Sequence, residues 1–205
     1  MGIYADKVLP RLVNAACRGK ATLPLRARVC AGLHGQVVEI GFGSGLNVAH
    51  YPAAVTRVHA VEPSETAWAL AAERVATARI SVDRTGLDGQ ALPLPDDSCD
   101  TALSTWTLCT IPDVAVALRE LRRVLKPGGT LHFVEHGLAP DAKVQRWQRR
   151  LEPLQKRFVG GCHLTREIAD LLTDAGFVLA EVDVFYQDSA PKTLGADTLG
   201  VAVSP

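Results

Sequence analysis

The sequence predicts an α/β fold: a mostly parallel sheet with helices on both faces. Three observations carry that reading. Short apolar, β-branched runs alternate with stretches of helical periodicity along the 205 residues. The first run, residues 37–40, leads straight into a turn with glycine at positions 41, 43 and 45. Polar residues recur where successive runs end, at Gly41–Gly45, Glu62, Asp88, Ser104 and Thr105, and Glu135 and His136. In open α/β sheets that rim, at the carboxyl ends of the strands, is where ligands bind.

Residues 1–34 read as amphipathic helix with breaks near Gly19 and Pro24. They form an extension placed to lie over the glycine turn, ahead of a domain spanning 35–205. The first strand, 37–40, starts after Gly35. A helix is expected to begin at 46–50 and stop at Pro52. The second strand, 57–61, ends in Glu62-Pro63-Ser64. Ser64 is a good N-cap, and Trp68, Ala71, Ala72 and Val75 follow at helical spacing. A third strand at 80–82 precedes a Pro- and Asp-rich loop over 87–97. The fourth strand is 101–104. Pro112-Asp113 opens a helix with Val114, Leu118, Leu121 and Leu125 on one face, stopped by Lys126-Pro127-Gly128-Gly129. The fifth strand is 130–135. An amphipathic segment over 141–158, part of an insertion at 141–166, precedes a capped helix at 165–175 ending at Gly176. Strands at 178–184 and 198–203 complete a set of seven.

Composition narrows the function. Apolar residues make up 47%, charged residues 21%, and the formal net charge is zero. A zero net charge gives no support to nucleic-acid binding, which draws on a basic excess. The five cysteines are odd in number and none stand in a CxxC spacing. That indicates no disulfide framework and no zinc motif, and a reducing, cytoplasmic setting. There is no signal-peptide core and no apolar run of 18 residues.

Two ligands suit a glycine-rich first turn. A nicotinamide dinucleotide favours G-x-G-x-x-G. Here the third glycine, Gly45, comes one residue early and Leu46 holds the sixth position. Glu39, two residues before the first glycine, would repel a pyrophosphate but pair with an ammonium group. An adenosyl ligand bearing an amino acid has that ammonium, and a carboxylate suited to the N–H groups of the turn. Glu62 suits ribose hydroxyls in either ligand, and Asp88 lies in reach of an adenine amino group.

Four stretches taken together, Glu39-x-Gly41-x-Gly43-x-Gly45, Glu62-Pro63-Ser64, Ala91-Leu92-Pro93-Leu94-Pro95-Asp96 and Glu120-x-x-Arg123-Val124-Leu125-Lys126-Pro127-Gly128-Gly129, resemble class I S-adenosylmethionine-dependent methyltransferases. The resemblance covers about residues 37–177. It implies a seven-stranded Rossmann-like sheet with the last strand antiparallel, and S-adenosyl-L-methionine as methyl donor. It implies donor contacts at Glu39, Gly41, Gly43, Gly45, Asn47, Glu62, Pro63, Asp88, Gly89, Ser104 and Thr105. A second set, Thr107-Leu108-Cys109, Phe133-Val134-Glu135-His136, Trp147 and Gly161-Cys162-His163-Leu164-Thr165-Arg166-Glu167, resembles animal methyltransferase-like enzymes that methylate alkyl thiols at the endoplasmic reticulum and lipid droplets. Ubiquinone and phospholipid methyltransferases border that branch.

On the acceptor side a small apolar molecule is expected, a thiol ahead of a quinol, a phenol or a phospholipid head group. A thiol, with a pKa near about 8.5, makes only a mild demand for a base. His136, at the end of the fifth strand, is the first candidate base, and His163 beside Cys162 is the second. Cys109 reads as packing, and Trp106 equally as a wall of the pocket or as core packing. Over 141–158, Val144, Trp147, Leu151, Leu154 and Phe158 make one face. Six basic residues against Asp141 and Glu152 make the other. Such a segment is a lid over the acceptor pocket, a contact with an anionic membrane, or an oligomer contact.

Overall fold

The computed structural model describes residues 2, 4–188 and 190–205. The seven strands are β1 (Gly35–Ile40), β2 (Val55–Val61), β3 (Ser81–Gly86), β4 (Cys99–Thr105), β5 (Leu125–His136), β6 (Val178–Tyr186) and β7 (Ala196–Val203). They form one sheet in the order β3-β2-β1-β4-β5-β7-β6. β1 pairs in parallel with β2 and β4, and β4 with β5, whereas β7 is antiparallel to both β5 and β6. The last strand in sequence is therefore the antiparallel one. The strand order reverses between β1 and β4, which puts a crevice at their carboxyl ends.

The helices are α1 (Leu9–Cys17), α2 (Thr22–Cys30), α3 (Glu65–Ala76), α4 (Val114–Val124), α5 (Ala142–Phe158) and α6 (Ile168–Asp174). Successive strand residues feed opposite faces, as the two-residue strand period requires. Val38, Ile40, Ala102 and Phe133 pack with Leu118 and Leu121 of α4 and Leu172 of α6. Val37, Leu103 and Val134 pack with Val29 and Cys30 of α2 and Ala71 of α3. Both faces are covered.

Three local expectations are corrected. No α-helix follows the glycine turn; a single 3₁₀ turn, Val48–His50, stands there. Tyr51 is already extended at ψ 126°, as the residue before Pro52 must be. Pro24 does not break the N-terminal helix, since it is the third residue of α2, where a missing N–H costs no hydrogen bond. α6 starts at Ile168 without a side-chain cap. Thr165, the expected first residue of that helix, is held elsewhere: its N–H and hydroxyl both donate to the Glu152 carboxylate, at 2.8 and 2.5 Å. Among the described residues, no helix is long and apolar enough to cross a membrane.

Candidate active site

A cavity of about 590 Å³ opens at the carboxyl ends of β1, β2, β4 and β5, within the range that encloses a cofactor-sized molecule. Gly41 and Gly43 form its floor, Glu62 and Pro63 one side, and Asp88 and Gly89 the next, with Thr105, Trp106 and Thr107 opposite. Leu9 and Val13 of α1 cover it, so the N-terminal extension contributes directly to the wall.

Gly41 sits at φ +67°, and a Cβ there would lie 2.0 Å from the Thr107 hydroxyl oxygen. Its bare backbone is thus the only surface that fits between β1 and the Thr107 loop. Gly43, at φ +59°, donates its N–H to Glu62 Oε2 at 2.7 Å, and Ser64 donates its own to Oε1 at 2.7 Å. Those two bonds fix the Glu62 carboxylate and leave acceptor capacity facing the cavity. Burial raises the Glu62 pKa against these donors. Asp88 shapes its own loop by accepting from the Gln90 N–H at 2.8 Å.

Other expected site residues stand behind this wall. Glu39 is fully buried and off the cavity, its carboxylate accepting from Asn47 Nδ2 at 2.8 Å and from the Tyr51 hydroxyl. Burial lifts it to about 7, against the hydrogen bonds from Tyr51 and Asn47. Asn47 also accepts from Arg26 at 2.7 Å and donates to Thr105 Oγ1 at 3.1 Å, so it braces the wall without forming it. Gly45 is needed for packing: a Cβ would press on the Phe42 ring and Ala71 at 3.2–3.3 Å. Ser104 turns away from the cavity and donates to Glu135 Oε1 at 2.6 Å.

Arg26 went unnoticed in the sequence because it lies outside every motif. It is 5% exposed, lines the cavity, stacks its guanidinium 4.9 Å from the Trp106 ring centroid, and leaves its buried Nε without a partner. An unpaired buried donor on a cavity wall fits an anionic ligand group. Trp106 itself adopts φ 51°, a strained backbone for a bulky residue.

At the other end of the cavity, the fold brings together Cys109, His136 and Cys162, all on the wall. His136 Nδ1 lies 3.9 Å from Cys109 Sγ and 3.7 Å from Cys162 Sγ, and the sulfurs are 3.6 Å apart. His136 Nε2 is 3.7 Å from Asp197 Oδ1. The Cys109 thiol and then His136 pull Cys162 down to about 5, against burial, while that same sulfur contact and burial push Cys109 up. Burial disfavours a charge on His136, yet the Cys162 sulfur and Asp197 raise it above its ordinary value. Glu135, expected on the rim, is fully buried. It accepts from the Thr107 and Cys109 N–H groups at 3.0 and 3.1 Å and so shapes this loop. His163 is absent from the wall; its Nδ1 faces Glu152 at 3.7 Å.

Comparison with known proteins agrees with this geometry. Residues 38–133 match the family model described as "Methyltransferase domain". Rattus norvegicus "Thiol S-methyltransferase TMT1B" is 34% identical over 173 residues, 82% of this chain and 70% of the relative. "Phosphatidylethanolamine N-methyltransferase" of Cereibacter sphaeroides is 28% identical over 149 residues, 65% of this chain and 70% of the relative. The crystal structure of a SAM-dependent methyltransferase from Aquifex aeolicus, at 19% identity, shares the fold with a TM-score of 0.67 over 96% of this chain and 98% of that one. The bare glycine floor, the anchored acidic side and the unpaired Arg26 donor fit an adenosyl ligand carrying an amino acid. The chain belongs to the S-adenosylmethionine-dependent methyltransferases and takes S-adenosylmethionine as its methyl donor.

Proposed function

We propose that this methyltransferase methylates the sulfur of a small, apolar thiol. The observation that carries the reading is the cluster at the far end of the cavity, where an imidazole and two thiols meet. Among the described residues no free carboxylate stands beside it: Glu135 is held by Ser104, Thr107 and Cys109, and Asp197 by Trp106 and Gln187. A phenol or carbon acid needs a stronger base than this end provides, whereas a thiol does not. The name of the rat relative supports the same acceptor.

When bound, the donor supplies a methyl group on a positively charged sulfur. The chain aligns and encloses the reactants, which is worth much of the barrier in an in-line displacement. Glu62 takes the ribose hydroxyls, Asp88 and Gly89 the adenine edge, and the Gly41–Gly43 floor with Arg26 the amino-acid end. Glu39, Asn47, Gly45 and Ser104 hold these groups from behind. The acceptor's proton passes to the Cys162–His136 pair, and His163 takes no part. α1 and the 159–162 turn act as lids, since Leu9, Val13, Val159 and Gly160 lie on the wall.

The exposed face of α5 also supports peripheral membrane contact. Trp147, Leu154 and Phe158 of α5 are 48%, 58% and 52% exposed. Arg150 and Arg157 lie over the Trp147 and Phe158 rings, and the Tyr4 hydroxyl donates to the Phe158 carbonyl at 2.8 Å. An apolar stripe with a basic flank rests on an anionic interface.

The acceptor is tested with labelled donor against alkyl thiols, phenols, quinols, amines and phosphatidylethanolamine. Thiols are expected to turn over fastest. Turnover of a quinol or the phospholipid without any thiol would overturn the reading.

A further inference from the structure

We propose that Cys109, His136 and Cys162 bind a zinc ion, and that the acceptor thiol occupies its fourth position. Sequence spacing hides the site, because His136 lies 27 residues from Cys109 and 26 from Cys162. The fold makes it, bringing the ligand atoms of all three within 4.8 Å of one another.

The distances are those of a tetrahedron. Zinc–sulfur bonds of about 2.3 Å and zinc–nitrogen bonds of about 2.0–2.1 Å put tetrahedral S···S edges near about 3.8 Å and S···N edges near about 3.6 Å. The three edges here are 3.6 Å for the sulfurs and 3.7 and 3.9 Å to His136 Nδ1. Small side-chain adjustments seat the ion. The surroundings are those of a built metal site. Asp197, itself fully buried, stands 3.7 Å from the other ring nitrogen of His136, where a carboxylate orients a ligating imidazole. Glu135 fixes the Cys109 backbone, and the His163 N–H donates to the Cys109 carbonyl at 2.8 Å, tying the two cysteine loops together. Three protein ligands on a cavity wall leave the open position of a catalytic zinc site.

The charges suit methyl transfer. Two thiolates and a neutral imidazole balance the dication. The acceptor thiol binds as its thiolate and releases its proton to water, giving an anionic centre that attracts the donor's sulfonium. The acceptor sulfur forms a bond to the methyl carbon as the carbon–sulfonium bond breaks, with that electron pair remaining on the donor sulfur. The neutral thioether product is a poor ligand and leaves. In this state His136 is a ligand and the base function passes to water. The role of the ion rests on the thiol reading above; the ion's binding does not.

The test uses the reduced, metal-stripped full chain titrated with zinc(II) and separately with cobalt(II). One ion per chain is expected, with a thiolate-to-cobalt charge-transfer band and tetrahedral ligand-field absorption. Cys109→Ser, Cys162→Ser and His136→Ala should each abolish tight binding, and Asp197→Asn should weaken it by roughly 10–100-fold. Cys99→Ala, far from the cluster, should leave binding unchanged. Because the variants can lose the fold, the wild-type chain is also alkylated with and without zinc. Zinc should shield Cys109 and Cys162 and leave the other cysteines unaffected. Substoichiometric uptake, an octahedral cobalt spectrum, or no shielding overturns the site. Zinc-loaded chain should methylate an alkyl thiol faster than stripped chain. Equal rates would overturn the ion's role while leaving thiol methylation standing. Tight zinc binding with turnover of quinols alone would instead overturn the thiol reading.

Discussion

Gly41 and Gly43 share a left-handed backbone but differ in what surrounds them. A Cβ on Gly41 would lie 2.0 Å from Thr107 Oγ1, whereas on Gly43 the nearest atom is 3.7 Å away. Gly43→Ala should therefore cost only the backbone term, roughly 1–2 kcal/mol. Gly41→Ala should add displacement of the Thr107 loop and weaken S-adenosylhomocysteine binding well beyond that. Titration calorimetry of both variants checks the order; equal losses would show that strain alone is at work. Arg26→Leu should likewise lower donor affinity by removing the unpaired Nε donor, and it should lower the melting temperature too, since the buried Asn47 carbonyl loses its guanidinium donor. These residues also show where the sequence was readable. Gly41, Gly43 and Glu62 were legible because one strand end and the next carry them at fixed spacing. Arg26 and the Cys109–His136–Cys162 cluster were not, because only the closed fold brings such distant residues into contact.

α5 carries an argument of its own. It buries only Gln148, whose side chain donates to the Gly137 carbonyl at 3.0 Å and accepts from the Ala139 N–H at 2.9 Å. Gln145, Glu152 and Leu151 also hold this 17-residue helix to the fold, yet Trp147, Leu154 and Phe158 stay exposed and leave an unspent apolar stripe. Vesicles containing phosphatidylserine should sediment the protein at low salt and release it at high salt. Trp147→Ser with Phe158→Ser should weaken that binding at all salt concentrations, and Arg149→Glu with Arg150→Glu should abolish its salt dependence. Retention on neutral vesicles alone would remove the electrostatic part. The amphipathic pattern over 141–158 was plain in the sequence. The late start of α6 was not, because Thr165 bonds to Glu152 across a turn that local capping rules do not register.

The alternation of strands and helices was readable because the central strands β1 and β4 are buried on both faces and so read as apolar runs, whereas the edge strands β3 and β6 are largely half-buried or exposed. What the pattern did not reveal is the set of buried ionisable groups at and behind the cavity wall. Glu39, Glu62, Glu135 and Asp197 are all raised above ordinary carboxyl values, each chiefly by burial. Such groups make the folded state bind protons that the unfolded chain releases. For Glu39 the window runs from its ordinary 4.5 to about 7. Across it the folded protein holds the proton and the unfolded chain does not, so its contribution to stability falls as pH rises and is lost above about 7. The shift corresponds to roughly 3 kcal/mol at about 1.4 kcal/mol per unit. Glu39→Gln keeps the shape and an acceptor for Asn47 but does not titrate. Denaturant unfolding of both proteins at pH 5 and pH 8 should show the variant gaining on the wild type as pH rises, by up to that amount. A difference that stays flat between the two pH values would mean that the hydrogen bonds from Tyr51 and Asn47, with Arg26 nearby, fully offset the cost of burying a charged Glu39.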